Sequence, residues 1–283
     1  MAEIATLRPG GPIEGVFACT RKDRLTARTG TPYLAVELRD RTGALPARAF
    51  RDADFLAGQF DRGDLVWVSG RVERFRGDLS AELDAIRRAD DRDPAAFLPV
   101  AYRDLDELDG FLEHLAREVF DPSLRALLDD FLGDSGFRGE FRRAPCTRAG
   151  HHAYLGGLLE HTVAVATLVQ ETCTLHRRLD SDLLMCAAIL HDVGKTREFA
   201  LGAEIGLSDE GRLLGHVTLG IQMVSERLAG VPRPRALALL HCIAAHHGAD
   251  GLPGRQFGSA EALALYRLNQ LDASVKDVLE HAR

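Results

Sequence analysis

The string Leu190-His191-Asp192-Val193-Gly194-Lys195 places an imidazole beside a carboxylate at the end of an apolar segment. Residues 183–190 are all apolar, so we expect His191 and Asp192 at the C-terminal end of a buried helix. Burying these side chains without partners is costly. A metal ion satisfies an adjacent imidazole and carboxylate together, and metal-assisted hydrolysis is the chemistry that such a pair can support.

Further candidate metal ligands lie along the same part of the chain, each in a segment with helical periodicity or at its end. They are His161, His216, His246, His247 and Asp272. Helical bundles build metal sites from inward-facing residues of different helices. A set of imidazole and carboxylate ligands without a thiolate suits Mn²⁺, Fe or Zn²⁺, and Mg²⁺ less well. The sequence therefore predicts a divalent-metal centre inside a helical domain.

The elements that must position these ligands are helices. From Asp104 onward apolar residues recur with a period near 3.6. Two shorter helices are marked by Leu105 to Leu115 and by Leu124 to Phe131, and 199–214 is predicted as a short hairpin or loop. Longer helices are expected at about 154–178, 181–191, 215–229, 233–246 and 259–281. This pattern predicts an all-α domain over 104–283.

Residues 1–89 show strand patterns instead. In 32–40, Leu34, Val36 and Leu38 alternate with Tyr33, Glu37 and Arg39, which is typical of a half-buried strand. Five strands are predicted at 13–22, 32–40, 44–51, 64–75 and 79–88, with a helix at 52–60. This order is the one expected of a five-stranded OB-fold barrel. Residues 90–103, with two prolines and an acidic cluster, are predicted to link the domains, so the fold class is α+β multidomain.

Charge and cysteine usage limit the class of protein. The chain has 35 basic and 42 acidic residues, a formal net charge of −7, so phosphate recognition must be local. Its five cysteines form no CxxC pair, and the N-terminal residues do not read as a signal peptide. The longest apolar run, 183–190, is too short for a membrane span. We expect a soluble cytoplasmic protein with reduced thiols; its oligomeric state, a homo-oligomer included, is left open.

The ordered ligand set resembles the HD-domain metal-dependent phosphohydrolase superfamily. The matching motifs are Leu-Glu-His161-Thr, His191-Asp192-Val-Gly-Lys195, Gly-His216, His246-His247-Gly and Leu-Asp272-Ala, together with the string His-His-Ala-Tyr-Leu-Gly-Gly-Leu-Leu-Glu-His over 151–161. An OB-fold ahead of such a domain resembles the YhaM-type 3′→5′ exoribonucleases. The resemblance covers nearly the whole chain.

The resemblance implies a role for each matching residue. One ion would be held by His161, His191, Asp192 and a late acidic residue, and a second would share Asp192 and be completed by His216 and His246, with His247 as an extra ligand. It implies two divalent ions, Mn²⁺ foremost. Asp192 and Lys195 are the expected catalytic residues, because the lysine would face the phosphate oxygens. His151 and His152 are expected to contact the phosphate or terminal sugar, with helix capping or packing as the alternative.

The sequence departs from the family pattern at the last ligand. The usual Asp-x-x-Asp string reads Asn269-Gln270-Leu271-Asp272 here. Asn269 and Asp272 share a helix face. We favour Asp272 as the ligand because a carboxylate is the better partner for a hard cation, with Asn269 as the alternative.

On the barrel, Tyr33, Arg39, Arg48 and Phe50 are the candidate contacts to nucleic acid, since OB-folds stack bases on aromatic rings and track phosphates with basic groups. A packing role for the aromatic residues is the alternative. The predicted function is a metal-dependent 3′→5′ exoribonuclease acting on single-stranded RNA, or on single-stranded DNA as well. Two rival functions stay open. One is a phosphohydrolase of small or cyclic nucleotides with a regulatory OB domain, and the other is a non-catalytic single-strand-binding protein.

Overall fold

A computed structural model describes residues 3–75, 77–89 and 93–281. The chain divides into two compact units. One consists of Met1–Pro99 with Leu201–Gly206, and the other of Val100–Ala200 with Leu207–Arg283. Part of the predicted linker, residues 90–92, lies outside the described residues.

The first unit is built on a closed five-stranded barrel, as predicted. Its strands are β1 (Pro12–Thr26), β2 (Pro32–Asp40), β3 (Gly43–Ala49), β4 (Leu65–Phe75) and β5 (Asp78–Arg88), and helix α1 (Ala53–Ala57) lies between β3 and β4. The strand order is β1-β2-β3-β5-β4. The β3–β5 pair is parallel, and the other pairs are antiparallel. The OB-fold prediction is confirmed.

The alternation in β2 determines which side chains fill the barrel. Leu34, Val36 and Leu38 are buried, whereas Tyr33 and Arg39 on the opposite face are partly exposed. This is the period-2 arrangement expected of a strand with one buried face. The outer face of the barrel therefore presents the side chains that the sequence nominated for binding.

The described part of the predicted linker is not an extended tether. Pro94–Phe97 form a short 3₁₀-helix, and the side chain of Asp93 accepts a hydrogen bond at its start. Phe97 is buried in a small apolar cluster of the first unit with Ala18, Leu65 and Ala203. Burial of this aromatic ring fixes the segment on the barrel.

The second unit is helical. Its helices are α2 (Leu105–Arg117), α3 (Pro122–Gly133), α4 (Ser135–Arg143), α5 (Gly157–Leu175), α6 (Ser181–Leu190), α7 (Lys195–Glu198), α8 (Asp209–Ser225), α9 (Arg233–Ala245) and α10 (Ala260–His281). Two short strands, β6 (Phe199–Leu201) and β7 (Ile205–Leu207), form a hairpin between α7 and α8, and its residues Leu201–Gly206 belong to the first unit. The HD-type helical architecture is confirmed, although the segment 104–283 is not strictly all-α.

Helices α4 and α7 were not predicted, and α8 begins earlier than predicted. Helix α4 was not predicted, because its nine residues contain only two apolar side chains, Phe137 and Phe141, both buried. Helix α8 begins at Asp209 and not near residue 215. Gly215 has φ 70° and ψ 160° and kinks this helix, which breaks its apolar periodicity.

The central helix of the second unit is α6. Every residue from Leu183 to Leu190 is buried, and the helix packs against α2, α3, α5, α9 and α10. A helix that is apolar all round is expected at the centre of such a bundle. Its C-terminal end therefore opens into the interior of the unit. No helix among the described residues combines the length and apolar character needed to cross a membrane.

Candidate metal centre

Five helices bring the predicted ligands together. His161 lies on α5, His191 and Asp192 follow the end of α6, and His216 comes directly after the kink in α8. His246 and His247 follow the end of α9, and Asp272 lies on α10. Residues separated by up to 111 positions thus share one buried cluster.

The carboxylate of Asp192, which is 1% exposed, lies at the centre of this cluster. Its Oδ1 atom is 3.5 Å from Nε2 of His216 and 3.3 Å from Nε2 of His246. Its Oδ2 atom is 3.5 Å from Nε2 of His161 and 3.3 Å from Nε2 of His191. Each oxygen therefore faces two imidazole nitrogens. We call these the Oδ1 side and the Oδ2 side of the centre.

Backbone carbonyls fix the tautomer of one imidazole on each side. Nδ1 of His191 donates to the carbonyl of Ala188 at 2.8 Å, and Nδ1 of His246 donates to the carbonyl of Ile243 at 2.6 Å. Because each Nδ1 carries the proton, each Nε2 presents a lone pair towards Asp192. This is how metal-ligating histidines are oriented in proteins.

The unpaired atoms of the cluster show that the residues fit a cation. Neither Oδ1 of Asp192 nor Nε2 of His246 has a hydrogen-bond partner among the described residues, although both are buried. Burial lowers the pKa of His246, and burial lowers the pKa of His161 to about 4 despite the neighbouring Asp272. The imidazoles of His161 and His246 are therefore neutral at neutral pH. Asp192, His216, His246 and His247 each offer a ligand atom within 4.8 Å of the others, which suits one divalent ion.

Lys195 points into the centre. Its Nζ atom is 2.7 Å from Oδ2 of Asp192, and the residue is 6% exposed. Burial raises the pKa of the Asp192 carboxyl, but the ammonium of Lys195 and the nearby His191 outweigh that effect and hold this pKa well below its usual range. Asp192 is thus ionised throughout the physiological pH range.

Glu198 supports the Oδ1 side and was not identified from the sequence. Its Oε1 atom accepts a hydrogen bond from the backbone N–H of His216 at 3.1 Å and lies 3.1 Å from Nδ1 of the same residue. Nε2 of His216 is 2.7 Å from Nε2 of His247. A Cβ at Gly194 would overlap the carbonyl oxygen of His216, so the glycine lets α8 approach this closely. No motif or spacing in the sequence predicts that Glu198 contacts His216.

Asp272 and Asn269 contact different parts of the cluster. Oδ2 of Asp272 accepts from Nδ1 of His161 at 2.6 Å and lies 3.2 Å from Nε2 of His152. The side-chain amide of Asn269 donates to the backbone carbonyl of His246 at 3.2 Å. Oδ2 of Asp272 therefore holds the Nδ1 edge of His161, while the Nε2 edge faces Asp192. Asp272 also shares a metal-competent cluster with His152 and His161, and its role as a direct ligand stays a prediction.

His152 is buried within a hydrogen-bond network. It is 1% exposed and has a left-handed backbone, with φ 53°. Its Nδ1 atom is 2.8 Å from the hydroxyl of Tyr154, which donates to Oε2 of Glu160 at 2.7 Å. This network agrees with the packing role that was the alternative, and contact of His152 with substrate stays a prediction. His151 is only partly buried, and its ring centroid lies 6.2 Å from that of His161.

Cys146 also reaches the centre, and sequence reasoning missed it. Its Sγ atom accepts a hydrogen bond from Nζ of Lys195 at 3.3 Å. One ligand atom of each of Cys146, His161 and Asp192 lies within 4.8 Å of the others. The cysteine sits in the irregular segment between α4 and α5, where no periodicity predicts which way a side chain points.

Among the candidate contacts on the barrel, Tyr33, Phe50 and Arg48 contact aromatic rings, and Arg39 lies apart from them. We call the first three, together with Phe75, the barrel patch. The rings of Tyr33 and Phe50 are 5.4 Å apart, and the guanidinium of Arg48 lies 3.5 Å over the ring of Phe75. Phe50 and Phe75 are each 40% exposed, so Phe50 is not core. Phe75 was not identified from the sequence. Arg39 pairs with Ala44 at the start of β3, whereas Phe50 follows the end of that strand. The guanidinium of Arg39 lies 3.8 Å from the carboxylate of Glu37.

Comparisons with known proteins agree with both halves of the structure. The HD domain family model matches residues 158–278, and the OB-fold nucleic acid binding domain model matches 17–88. The 3′-5′ exoribonuclease YhaM of Halalkalibacterium halodurans is 26% identical over 273 residues, covering 94% of this chain and 84% of its own. The 3′-5′ exoribonuclease YhaM of Listeria innocua is 26% identical, and the match covers 91% of this chain and 85% of the relative. The protein of the same name in Bacillus velezensis is 26% identical, and the match covers 94% of this chain and 86% of the relative. The resemblance inferred from the motifs is confirmed.

Proposed function

We propose that this chain, in which an OB-fold is joined to an HD domain, is a metal-dependent 3′→5′ exoribonuclease that hydrolyses single-stranded RNA to nucleoside monophosphates. The observation that carries the proposal is the buried carboxylate of Asp192, which faces two imidazole nitrogens on each oxygen. The relatives that span more than nine-tenths of the chain carry the name 3′-5′ exoribonuclease. Single-stranded DNA is a second substrate within the same proposal.

The proposed division of labour follows the two units. Residues 1–89 bind the nucleic acid, and residues 104–283 hydrolyse it. On the Oδ2 side, His161, His191 and Asp192 would hold one ion. On the Oδ1 side the ligands would be Asp192, His216, His246 and His247. Mn²⁺ is the ion that we propose from the imidazole and carboxylate donors.

When two divalent metal ions are bound, they would generate a nucleophile near neutral pH and neutralise the charge of a phosphodiester. The protein's own residues set up that chemistry. Asp192 lies between the two sides and stays ionised because Lys195 is 2.7 Å away. His151, which is partly buried, would contact the terminal phosphate or sugar.

The barrel supports a polymer substrate. Tyr33 and Phe50 form an aromatic pair on its outer face, and Arg48 covers the neighbouring Phe75. Exposed rings next to guanidinium groups bind single strands by stacking bases and pairing with phosphates. A hydrolase of free nucleotides has no use for this surface.

The proposal is tested with RNA oligonucleotides labelled at either end. The purified protein is stripped with a chelator and supplied with Mn²⁺, and the products are separated by length. We expect stepwise shortening of 5′-labelled RNA, immediate release of labelled monophosphate from 3′-labelled RNA, and neither product with Asp192→Asn. Hydrolysis confined to free or cyclic nucleotides would favour the rival phosphohydrolase. Binding of RNA without cleavage under all metals would favour the non-catalytic protein.

We also propose that the protein works in the cytoplasm. All five cysteines are free thiols, and four of them are buried. Reduced thiols are the rule in that compartment.

A further inference from the structure

A chain of hydrogen bonds leads away from His161, on the Oδ2 side of the centre. Nδ1 of His161 is 2.6 Å from Oδ2 of Asp272, and the same oxygen is 3.2 Å from Nε2 of His152. Nδ1 of His152 lies 2.8 Å from the Tyr154 hydroxyl, which donates to Oε2 of Glu160 at 2.7 Å. All five residues belong to the second unit. We call His152, Tyr154 and Glu160 the outer network.

The carboxylate of Glu160 sets the direction of these hydrogen bonds. The ammonium of Lys276 donates to Oε1 of Glu160 at 3.1 Å, and Oε2 accepts from the Tyr154 hydroxyl. Because the hydroxyl proton is given to Glu160, the phenol oxygen is left to accept from Nδ1–H of His152. The outer network thereby turns the Nε2 edge of the His152 ring towards Asp272.

The backbone of His152 is held in a strained conformation. Its φ of 53° lies in the left-handed region, and its N–H donates to Oε2 of Glu280 at 3.1 Å. A Cβ at Gly157 would lie 2.1 Å from the carbonyl oxygen of His152, so α5 begins directly against this backbone. Strain of this kind persists only where the surroundings hold it, and it clusters at functional sites.

We propose that Tyr154 and Glu160 are positioning residues for metal binding, which act by holding the His152 ring. The held ring fixes the carboxylate of Asp272, and that carboxylate keeps the Nε2 edge of His161 turned towards the centre. The role is the same whether Asp272 contacts the ion directly or only through His161. This inference rests on the proposed metal centre and adds the residues that orient one side of it.

The Tyr154 hydroxyl keeps two mutually attracting groups apart. Oε2 of Glu160 is 3.7 Å from Nδ1 of His152, and the hydroxyl contacts both groups. Without the hydroxyl, the imidazole would turn towards the carboxylate, and its Nε2 atom would move away from Asp272. Loss of a single oxygen atom at Tyr154 is therefore expected to reach the metal centre.

Packing alone would not require polar atoms to be matched from end to end. Both ring nitrogens of His152 and both carboxylate oxygens of Glu160 have partners. A buried network that is fully satisfied specifies one arrangement of its side chains. Metal-ligating histidines are oriented by outer partners of this kind.

The test is calorimetric titration of the metal-free full-length protein with Mn²⁺. Tyr154→Phe keeps the ring and removes the hydroxyl. We expect it to lower the Mn²⁺ affinity by about 10-fold, as outer partners of metal ligands do, and to leave the KM for RNA unchanged at saturating Mn²⁺. Tyr266→Phe is the matched control and should keep wild-type affinity, because Tyr266 is also a partly buried tyrosine of the second unit but lies outside the outer network.

A double-mutant cycle separates orientation from packing. His152→Asn removes the imidazole, and asparagine tolerates the left-handed backbone at this position. If the outer network acts through His152, Tyr154→Phe should lower the Mn²⁺ affinity of the wild-type protein and cause no further loss in His152→Asn. Thermal melts of the metal-free proteins verify that each variant is folded.

The outcomes distinguish this inference from the proposed function. Unchanged Mn²⁺ affinity in Tyr154→Phe, or an equal loss in both backgrounds, would overturn the positioning role and leave the metal centre standing. A raised KM for RNA with unchanged Mn²⁺ affinity would also overturn it and would assign the outer network to substrate binding. Absence of Mn²⁺ binding by the wild-type protein would overturn the proposed metal centre together with this inference.

Discussion

The metal centre and the barrel patch use polar chemistry in opposite ways. At the centre, Asp192 and His191 are almost completely excluded from solvent and have each other as partners. On the barrel, Phe50 and Phe75 are each 40% exposed, and a guanidinium lies over one of these rings. Removing one member of a buried polar cluster leaves the others unpaired, which costs more than the contact itself. Removing one member of an exposed patch costs only its own contact with the ligand.

This difference predicts how the two regions respond to single substitutions. At the centre, losses should be large and far from additive, since the ligands act as a unit. On the patch, losses should be moderate and close to additive, since stacked bases contribute separately. The predictions below run from the largest expected effect to the smallest, and each can separate the two behaviours.

Asp192→Ala should give the largest loss. The carboxylate faces imidazoles of both sides, so its removal disrupts both proposed metal sites. We expect turnover to fall by more than about 1000-fold, which corresponds to about 4 kcal/mol of transition-state stabilisation. Single-turnover hydrolysis of a short RNA with Mn²⁺ measures this. Asp209→Ala is the control, because the Asp209 side chain is 94% exposed. Retention of more than about a tenth of wild-type turnover by Asp192→Ala would refute the central role of this carboxylate.

Asp272→Asn should give the second-largest loss, and the loss should be in metal affinity. Oδ2 of Asp272 accepts from Nδ1 of His161, so the substitution removes the charge that orients this imidazole. Changes of this kind typically lower metal affinity by about 10- to 100-fold. Calorimetric titration of the metal-free protein with Mn²⁺ measures the loss. A complete loss of one ion from the stoichiometry would instead make Asp272 a direct ligand.

Asn269→Asp is the companion variant on the same helix face. The Asn269 amide donates to the His246 carbonyl, and a carboxylate cannot donate there. We expect the free energy of unfolding to fall by about 1 to 3 kcal/mol, with a smaller change in metal affinity than in Asp272→Asn. Chemical denaturation compares the two proteins. Tighter metal binding by Asn269→Asp without loss of stability would place residue 269 in the ligand shell.

The sequence could predict those elements whose apolar residues follow a clear pattern. Alternation in β2 and the apolar run before His191 are periodic signals, and each predicted its element and its buried face. The barrel and the helical domain could be predicted for this reason. Helix α4 and the start of α8 could not, because α4 has few apolar residues and Gly215 interrupts the periodicity of α8.

The candidate site divides along similar lines. The imidazoles and Asp192 could be nominated because buried polar residues at helix ends need partners. Glu198, Cys146 and the buried position of His152 depend on how segments without periodicity pack. Phe75 could not be nominated because its contact with Arg48 joins two strands that are distant in sequence. Motifs thus located the candidate ligands, and only the structure shows which residues contact them.

Phe50→Ala should have a moderate effect confined to long substrates. The ring pairs with Tyr33 on the open face of the barrel, so the loss is that of about one stacked base. We expect affinity for a long single-stranded RNA to fall by about 5- to 50-fold, with little change in dinucleotide hydrolysis. Fluorescence anisotropy and a dinucleotide assay measure the two quantities. Phe55→Ala is the control, because Phe55 is 66% exposed and lies in helix α1. An equal loss on both substrates would mean that Phe50 supports the fold and does not bind RNA.

Arg39→Ala should have the smallest effect, and it tests whether charge and stacking are separable on the barrel. Arg39 lies 3.8 Å from Glu37, which partly offsets its charge, and β-sheet register sets it opposite Ala44, away from the Tyr33–Phe50 pair. Its contribution is therefore at most one phosphate contact. Each phosphate contact adds about 0.7 to the slope of log affinity against log salt for single strands. We expect Arg39→Ala to reduce this slope by up to about 0.7 and to weaken binding by less than about 5-fold at moderate salt, with convergence on the wild type at high salt. Phe50→Ala should leave the slope unchanged, because a stacked base releases no counterion. If Arg39→Ala instead weakens binding equally at all salt concentrations, the arginine acts through base contacts or through the fold, and the barrel behaves as one cooperative site like the metal centre.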